Sequence, residues 1–311
     1  MIVIKRYSLE KKNVWDAFVE SSKNGTFMLK RDYMDYHPDR FKDHSLMIYN
    51  DEDLVALLPA SLHDSELRSH GGLTYGGLIT STKVSMQVVL LIFEALKDYL
   101  KDNQYDRLIY KRVPAIYYRY PSDEDLYALY RIGATLIRRD ISSTIYMPEK
   151  IKFSERRRRG CKQAKKNGII VKLSNEYSSY ISMLGDILKK YHNTKPVHTA
   201  EELNMLSERF PENIKLYAAY QGDEMRAGVL VFETETVAHA QYIANSDEGR
   251  QCGALDAVMD YLINELYTEK KYFDFGISTE NEGLFLNEGL ITQKQEFGAR
   301  GIVYDFYEIN S

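Results

Sequence analysis

The sequence predicts an α/β protein made of two similar units in tandem, each with a mixed, largely antiparallel sheet flanked by helices. Two observations carry this prediction. Both halves show the same order of elements, and corresponding elements are separated by a nearly constant number of residues. The second strands of two hairpins begin at residues 54 and 226, 172 apart, and the closing strands begin at 107 and 272, 165 apart. We therefore expect a first unit over residues 1–150 and a second over residues 151–311.

The elements of the first half follow from apolar periodicity. Strand-like runs bounded by turn residues predict strands, and apolar residues at helical spacing predict helices. In chain order we expect a hairpin (45–49 and 54–59), a glycine-rich loop (71–77), a helix (83–101), a strand (107–110), a helix (123–132) and a strand (135–146).

The second half repeats this order with an additional strand. The same rules predict a hairpin (214–220 and 226–232), a strand (237–243), a polar loop (245–253), a helix (255–267), a strand (272–275), a helix (283–294) and a strand (301–309).

Composition argues against several classes of protein. A net charge of −4 does not suit a surface that binds nucleic acid throughout, and we expect no DNA partner. Cys161 and Cys252 lack metal-ligand spacing, so we expect neither zinc nor disulfides. The apolar start is too short for a signal peptide and the run 88–93 is too short for a membrane span, which predicts a cytoplasmic protein. The 25 tyrosines suit a wide polar cleft, and equally a sheet rich in aromatic strands.

A motif opens the long helix of the second half. Residues 250–255 read Arg-Gln-Cys-Gly-Ala-Leu. They resemble the Arg/Gln-x-x-Gly-x-Gly/Ala loop of GNAT acyltransferases, whose order of hairpin, loop, helix and strand this half also shares. Leu255 stands where that family has a small residue, so the motif is partial.

The C-terminal third carries a more specific resemblance. Residues 272–276 read Tyr-Phe-Asp-Phe-Gly and residues 294–298 read Lys-Gln-Glu-Phe-Gly. They resemble the Asp-Phe-Gly strand end and the Lys-x-x-Phe-Gly segment of the FemABX branch of the GNAT superfamily. The basic stretch 162–168 is similar to the helix that enters the second half of those proteins. The resemblance covers residues 150–311 well and the first half in outline.

The resemblance implies transfer of an acyl group to an amine of a cell-envelope precursor. Acyl donors in the superfamily are acyl-CoA or, in the peptidoglycan-bridge members, aminoacyl-tRNA. The variant motifs look like those of acyltransferases associated with surface polysaccharides, which implies an amino sugar on a nucleotide or lipid carrier as the acceptor. We expect acetyl-CoA or another acyl-CoA as co-substrate, without a metal, bound by the second half, and the acceptor bound by the first.

Two acidic residues are candidates for the general base. Asp274 lies between two phenylalanines on a strand, where apolar surroundings would raise the pKa of its carboxyl into a useful range. Such an aspartate also commonly has a structural role, in which it accepts hydrogen bonds from nearby backbone N–H groups. Glu280 lies in the following loop, where it can meet substrate or simply favour a helix start.

The strand 237–243 offers two further catalytic candidates. Strict alternation places His239 and Gln241 on one face, and Ala238, Ala240 and Tyr242 on the other. His239 is a candidate base or orienting group, although a hydrogen-bonded core histidine is the other interpretation. Tyr242 is a candidate proton donor to the leaving thiolate.

The donor site is predicted at the start of the long helix. Backbone N–H groups there bind a pyrophosphate, and glycine permits close approach; a plain turn into a helix is the alternative. The candidate residues are Arg250, Gln251, Gly253 and Ala254, with Lys294 added by the resemblance. The basic segment 152–166, with eight lysines or arginines, is a second candidate for phosphate binding, or else a solvated face.

The acceptor site is predicted in the first half. Four glycines with an imidazole and an aromatic ring in residues 69–77 indicate backbone approach to a ligand, or else a pair of tight turns. Polar groups after the next strand lie where α/β clefts commonly bind ligands. The candidate residues are His70, Gly72, Tyr75, Gly76, Lys111 and Tyr118.

Three functions stay open at this stage. The first is a CoA-dependent N-acyltransferase acting on an amino sugar. The second is an aminoacyl-tRNA-dependent transferase, which the basic segment favours and the acidic total disfavours. The third is a carbohydrate-binding protein without catalytic activity.

Overall fold

The computed structural model describes residues 1–36, 40–192 and 194–311, which form two compact units. Unit 1 comprises Met1–Asp140, Asn281–Leu284 and Val303–Ser311, and unit 2 comprises Ile141–Glu280 and Phe285–Ile302. The division therefore falls before the expected seam at 150. The last residues also belong to unit 1 rather than unit 2, because the end of the final strand pairs with a strand of unit 1.

The elements of unit 1 follow the predicted order. The first hairpin, the long helix and the strand after it lie within a few residues of the predicted bounds. The elements are β1 (Ile2–Arg6), α1 (Lys12–Ser21), α2 (Arg31–Met34), β2 (Lys42–Asp43), β3 (Leu46–Asn50), β4 (Asp53–Leu58), β5 (Ser61–His63), β6 (Glu66–Arg68), β7 (Ile79–Thr80), α3 (Met86–Asp102), β8 (Arg107–Lys111), α4 (Glu124–Arg131) and β9 (Thr135–Tyr146), which continues into unit 2.

Unit 1 contains two small sheets packed on α3. One has the strand order β1-β3-β4-β7 and is antiparallel, and the other places β8 beside β6, in parallel, and beside the last strand of the chain. The N-cap Ser85 accepts a hydrogen bond from the backbone N–H of Val88 and starts the helix. Residues at helical spacing, including Val89, Ile92 and Leu96, then face the core.

The elements of unit 2 are α5 (Glu155–Lys166), β10 (Ile170–Ser174), α6 (Tyr177–His192), α7 (Ala200–Arg209), β11 (Ile214–Gln221), β12 (Glu224–Glu233), β13 (Val237–Asn245), α8 (Asp247–Cys252), α9 (Ala254–Asp260), a π-helical turn (Tyr261–Leu266), β14 (Tyr272–Ile277), β15 (Thr279–Glu280), β16 (Phe285–Leu286), α10 (Glu288–Glu296) and β17 (Arg300–Asn310), whose end belongs to unit 1. The predicted polar loop 245–253 is wrong in part, because it contains α8. Ser246 caps that helix through a hydrogen bond from the backbone N–H of Gly249.

The sheet of unit 2 positions the candidate site. Its strand order is β10-β11-β12-β13-β14-β9, antiparallel except for the parallel pair β13 and β14. One face packs on α9, with Leu255, Val258 and Met259 in the same apolar core as Val229 and Phe273. This burial is the main stabilisation of the unit. No helix in the described ranges is both long and apolar enough to cross a bilayer.

Helix α5 packs closely against the start of α9. Gly253 adopts a left-handed conformation (φ 80°) between α8 and α9, and a Cβ there would overlap the carbonyl oxygen of Gly160 in α5. A Cβ on Gly160 would in turn overlap the carboxylate of Asp256. Both glycines are therefore required by the contact between the two helices.

Gly253→Ala should lower the free energy of unfolding by about 3 kcal/mol, because the alanine combines left-handed strain with overlap of the α5 backbone. The control is Gly222→Ala, since Gly222 has a similar φ of 60° and open space around it. We expect that variant to cost only about 1 kcal/mol in urea denaturation. Equal losses in the two variants would contradict the packing argument.

Candidate active site

The strands β13 and β14 separate after a short stretch of pairing. They pair in parallel over Val237↔Tyr272, Ala238↔Phe273 and His239↔Asp274, and no ladder pair joins them farther along the described strands. β13 nevertheless continues to Asn245 and β14 to Ile277. The edges that face each other beyond the last pair leave backbone groups available to a third partner.

A β-bulge changes which side chains share a face of β13. The register against β12 shifts so that Leu230 pairs with Tyr242 and Val231 pairs with Ala240, leaving Gln241 without a partner. The predicted alternation is therefore wrong at Tyr242. This side chain lies on the face of His239, not on the core face of Ala240.

Asp274 is fully buried, and side chains of two neighbouring strands donate hydrogen bonds to its carboxylate. Ser142 and Thr144 on β9 each donate a hydroxyl to Oδ1 at 2.7 Å, and Nδ1 of His239 donates to Oδ2 at 2.8 Å. Burial acts to raise the pKa of Asp274, but the hydrogen bonds and the charge of His239 outweigh it and leave the pKa lowered. The expected raised pKa is wrong because apolar neighbours in sequence are not the neighbours of the carboxylate in space.

His239 is oriented by this carboxylate. With Nδ1 bound to Asp274, Nε2 is the ring nitrogen left for another partner, and it has no hydrogen-bond partner among the described residues. Gly276 lies beside the ring, since a Cβ at that position would be 3.4 Å from Cε1 of the imidazole. The glycine therefore leaves no side chain against this edge of His239, whose side chain is only 8% exposed.

A cavity of about 670 Å³ lies on the other face of the sheet, where β13 and β14 separate. Its inner part is apolar and its rim is basic. The residues that line the inner part include Ile243, Asn245, Leu255, Met259, Phe275 and Phe297. The cations that line the cavity are Arg156, Arg157, Arg159, Arg250 and Lys294. Neither His239 nor Tyr242 lines it. The cavity can accept an elongated anionic ligand with an apolar end.

Lys294 connects the cavity with the strand that carries Asp274. Its Nζ donates to the carbonyl oxygens of Gly276 (2.8 Å) and Ile277 (2.7 Å). Burial lowers the pKa of Lys294 to about 8, although the charge of Asp274 acts in the opposite direction. A partly neutral lysine at the wall of the cavity suits proton transfer as well as anion binding.

Two residues that line the cavity each carry a buried polar atom without a hydrogen-bond partner among the described residues. These atoms are Nε of Arg157 and Oδ1 of Asn245, and both are shielded from solvent and from the cavity. The rest of the Arg157 guanidinium is held by Asp256 (3.1 Å) and Glu296 (2.8 Å), and it stacks 4.5 Å from the ring of Phe297. These contacts hold Arg157 in place in the wall of the cavity.

The predicted donor residues divide into two groups. Arg250 and Gly253 line the cavity, whereas Gln251 and Ala254 do not. The guanidinium of Arg250 donates to the Tyr191 hydroxyl at 2.7 Å and stacks on its ring. Gln251 accepts a hydrogen bond from Gln163 of α5 through its carbonyl, and Ala254 is buried in the core. Their roles in donor binding stay predictions.

Tyr242 and Glu280 lie away from the cavity. The hydroxyl of Tyr242 is joined to Nδ1 of His198 by a hydrogen bond of 2.7 Å, and burial raises its pKa to about 12. Such a phenol is a weak proton donor. Glu280 is exposed on β15 and accepts a hydrogen bond of 2.8 Å from the side chain of Asn287.

The glycine-rich loop of unit 1 folds around the ammonium group of Lys111. Nζ donates to the carbonyl oxygens of His70 (3.0 Å) and Leu73, and burial lowers its pKa to about 7. The backbone N–H of Gly76 donates to the Lys111 carbonyl, and a Cβ on Gly76 would overlap the Ser69 backbone. A Cβ on Gly72 would overlap the ring of Phe41. Glycine at these two positions therefore allows close packing within unit 1.

The two predicted tyrosines of unit 1 are also buried. Tyr75 donates its hydroxyl to Thr26 at 3.1 Å and packs on Tyr117. Tyr118 donates to the Val113 carbonyl at 2.8 Å, and burial, with Asp125 next, raises its pKa well above the ordinary value. Acceptor binding by these residues stays a prediction.

Sequence reasoning missed the partners that shape the site. Ser142 and Thr144 were not predicted as partners of Asp274. The signal in the sequence is that two hydroxyl residues two positions apart on a strand share a face. Asn245 carried no distinguishing signal. Arg157 lies in a run of four arginines, but its spacing of four residues from both Phe153 and Cys161 indicates that it is the one that turns inward.

The pH dependence of stability should reveal the buried Lys294. Its pKa is about 8 in the folded protein and 10.5 in the reference state, so the unfolded chain binds more protons between these values. The cost of burying its charge is therefore present in full below pH 8 and relieved as the pH rises to about 10.5. We expect the free energy of unfolding of Lys294→Met, relative to the parent, to fall across this interval in denaturation experiments. Parallel pH profiles of the two proteins would contradict the prediction. Lys111, whose pKa is also lowered, is present in both proteins, so its contribution cancels in the difference.

The fold has clear counterparts among solved structures. No protein-family model matches the chain, and no curated protein sequence matches it. FemX has a similar structure, with a TM-score of 0.69 at 10% identity over 99% of this chain and 97% of that one. L-PGS from Bacillus licheniformis gives 0.64 at 12% identity, covering 98% and 93%, and a tandem GNAT protein from the clavulanic acid pathway gives 0.50 at 12% identity, covering 100% and 98%. The predicted fold class is thus confirmed: the chain has a tandem GNAT-like fold of the FemABX type.

Proposed function

We propose that the protein is an N-acyltransferase whose activated acyl donor binds in the cavity of unit 2. The observation that carries this proposal is the separation of β13 and β14. It leaves a cavity with a basic rim on one face and an oriented His239–Asp274 pair on the other. The fold shared with FemX and with a tandem GNAT protein supports the same reaction class, although fold alone does not carry a function.

The reaction follows from this geometry. The lone pair of the acceptor amine attacks the acyl carbonyl carbon, and Nε2 of His239 takes the proton that the nitrogen loses. The carbonyl π electrons move onto oxygen, then return as the bond to the leaving group breaks. The leaving thiolate then takes a proton from water, and the imidazolium releases its proton to the solvent. Asp274 keeps Nδ1 protonated and stabilises the imidazolium while it exists.

The developing negative charge on the carbonyl oxygen needs donors. Backbone N–H groups on β13 beyond His239 do not pair with β14 and would supply these donors. Fixed amides stabilise an oxyanion without reorganisation, so no special side chain is required there. Donor and acceptor would approach from opposite faces of the sheet and meet where the strands separate.

Acyl-CoA is the leading donor. Its pantetheine arm can lie along the apolar inner part of the cavity, and its phosphates can pair with Arg156, Arg159 and Arg250 at the rim. We propose acetyl as the acyl group, from the resemblance to acetyl-CoA-dependent members of the superfamily. The acceptor proposed from the resemblance is an amine of an amino sugar or another envelope precursor, and the reaction would take place in the cytoplasm.

Aminoacyl-tRNA is the alternative donor. Two observations favour it: FemX and L-PGS resemble the chain more closely than the tandem GNAT protein does, and α5 carries more cations than one CoA molecule needs. Phosphate contacts with tRNA would make binding fall steeply with salt.

Donor binding is tested by thermal shift. Acetyl-CoA at a hundredfold excess over Kd should stabilise the folded protein by about 2.7 kcal/mol and raise Tm accordingly. Arg159→Glu and Arg250→Glu should abolish this shift. Arg158→Glu is the matched control, because Arg158 does not line the cavity, and it should keep the shift.

The same measurement separates the alternatives. Salt-sensitive retention of charged tRNA, without a shift by any acyl-CoA, would move the proposal to the aminoacyl donor. A shift by nucleotide sugars, with no turnover of either donor, would select a binding protein and reject the enzyme.

The base is tested by mutation of His239. With the bound donor and an acceptor found in a panel of amino sugars, His239→Gln should lower kcat by about 10²–10⁴-fold and leave KM for the donor nearly unchanged. Thiol release by a chromogenic reagent reports the rate. Tyr242→Phe should retain most activity, because that hydroxyl is bonded to His198 away from the cavity. Full activity in His239→Gln would reject the assigned base.

A further inference from the structure

The cations of α5 face two different spaces. Arg156, Arg157 and Arg159 line the cavity described above. Arg158 and Lys162 instead line a second groove on the other side of the helix, and the two spaces share no lining residue. The proposed acyl transfer makes no use of this second set.

The second groove, here called the α5 groove, has a volume of about 430 Å³. One wall is α5, a second is the segment before it, and the third is the π-helical turn after α9. The lining residues are Lys150, Ile151, Lys152, Phe153, Arg158, Cys161, Lys162, Asp260, Ile263 and Asn264.

The floor of the α5 groove is apolar. Phe153 and Ile263 are buried there, and burial, with Asp260 and Asp256 next, raises the pKa of the Cys161 thiol to about 12. The thiol is therefore uncharged and behaves as a small apolar group. Ile151 is 46% exposed at the edge of the groove, with a lysine on each side of it in the sequence.

The rim of the α5 groove is cationic. Lys152, Arg158 and Lys162 are exposed, and none of them forms an ion pair within the described parts of the chain. Asp260 is the one acid among the lining residues, and its carboxylate accepts a hydrogen bond from Asn264 at 2.7 Å. Three unpaired cations around an apolar floor, in a protein of net charge −4, form a local surface that attracts an anionic partner.

The π-helical turn is joined to this wall by Lys150. Its Nζ donates to the carbonyl oxygen of Ile263 at 3.1 Å and to Oδ1 of Asn264 at 3.0 Å. The π geometry disturbs the usual helical hydrogen bonds, and such turns often occur at functional sites. Lys150 thus fixes the shape of the groove and leaves the other three cations for a ligand.

We propose that the α5 groove docks unit 2 on a bilayer surface that contains anionic phospholipid. Lys152, Arg158 and Lys162 bind the phosphate head group, the first methylenes lie on the apolar floor, and Ile151 inserts at the interface. An apolar floor makes no favourable contact with the charged backbone of a nucleic acid. Grooves for single strands present exposed aromatic rings for stacking, whereas Phe153 is buried. The observations therefore favour lipid over nucleic acid.

The test is co-sedimentation of the full chain with vesicles. We expect binding to vesicles of phosphatidylcholine with one quarter phosphatidylglycerol, weakening with salt, and little binding to phosphatidylcholine alone. Arg158→Glu with Lys162→Glu should weaken binding more than twentyfold, since each cation near an anionic surface contributes about fivefold. Ile151→Ser should weaken it severalfold, an effect that a purely electrostatic contact would lack.

The matched control is Lys189→Glu with Lys195→Glu, which makes the same change of net charge at exposed lysines outside the groove. Binding within about twofold of the parent is expected, and unchanged Tm values would show that all variants are folded. Equal binding to both vesicle types, or equal loss in the groove and control variants, would overturn the proposal. So would retention on tRNA without vesicle binding. Donor thermal shifts report separately on the acyltransferase proposal.

Discussion

The architecture of the site depends on one buried carboxylate, that of Asp274. It accepts hydrogen bonds from β9 and from β13 while its own backbone belongs to β14, so a single side chain ties three neighbouring strands together. A buried charge is tolerated only when it is fully bonded, and removing one partner of such a group costs about 3–5 kcal/mol. The last ladder pair between β13 and β14 contains this residue, so the position at which the strands separate is fixed by the same bonds.

The separation of the strands accounts for the division of the site between two faces. Phe275 faces the apolar core and the cavity, whereas Asp274 and His239 face the other side. At the junction, Gly276 adopts a left-handed conformation (φ 75°) that leaves no side chain against the imidazole, and its carbonyl holds Lys294. The imidazole of His239 and the ammonium of Lys294 therefore lie on opposite sides of the Gly276 peptide. An acyl group could be transferred between two ligands at this point.

Most of the fold could be predicted from the sequence because its signals are local. Hairpins, turn residues and helical periodicity gave the order of the repeated elements and most of their bounds, whereas β1, α1, β10, α6 and α7 were not predicted. The site was less predictable, because its details depend on pairing between distant strands. The bulge at Gln241, which moves Tyr242 to the other face, and the hydroxyls that lower the pKa of Asp274 come from neighbouring strands. Glycines were also ambiguous: Gly253 and Gly76 indicated approach to a ligand, and the structure uses them for close backbone contacts.

The contact between α5 and α9 also explains why the motif at residues 250–255 is partial. An open helix start would need glycine and a small residue so that a pyrophosphate could reach the backbone N–H groups. Here the carbonyl of Gly160 occupies the space beside Gly253, and Leu255 projects into the cavity. Under the proposed function, guanidinium groups on α5 would therefore bind the anion in place of backbone amides. Once a helix supplies those groups, its opposite side becomes a second basic surface without further change to the fold, because a helix presents neighbouring residues in different directions.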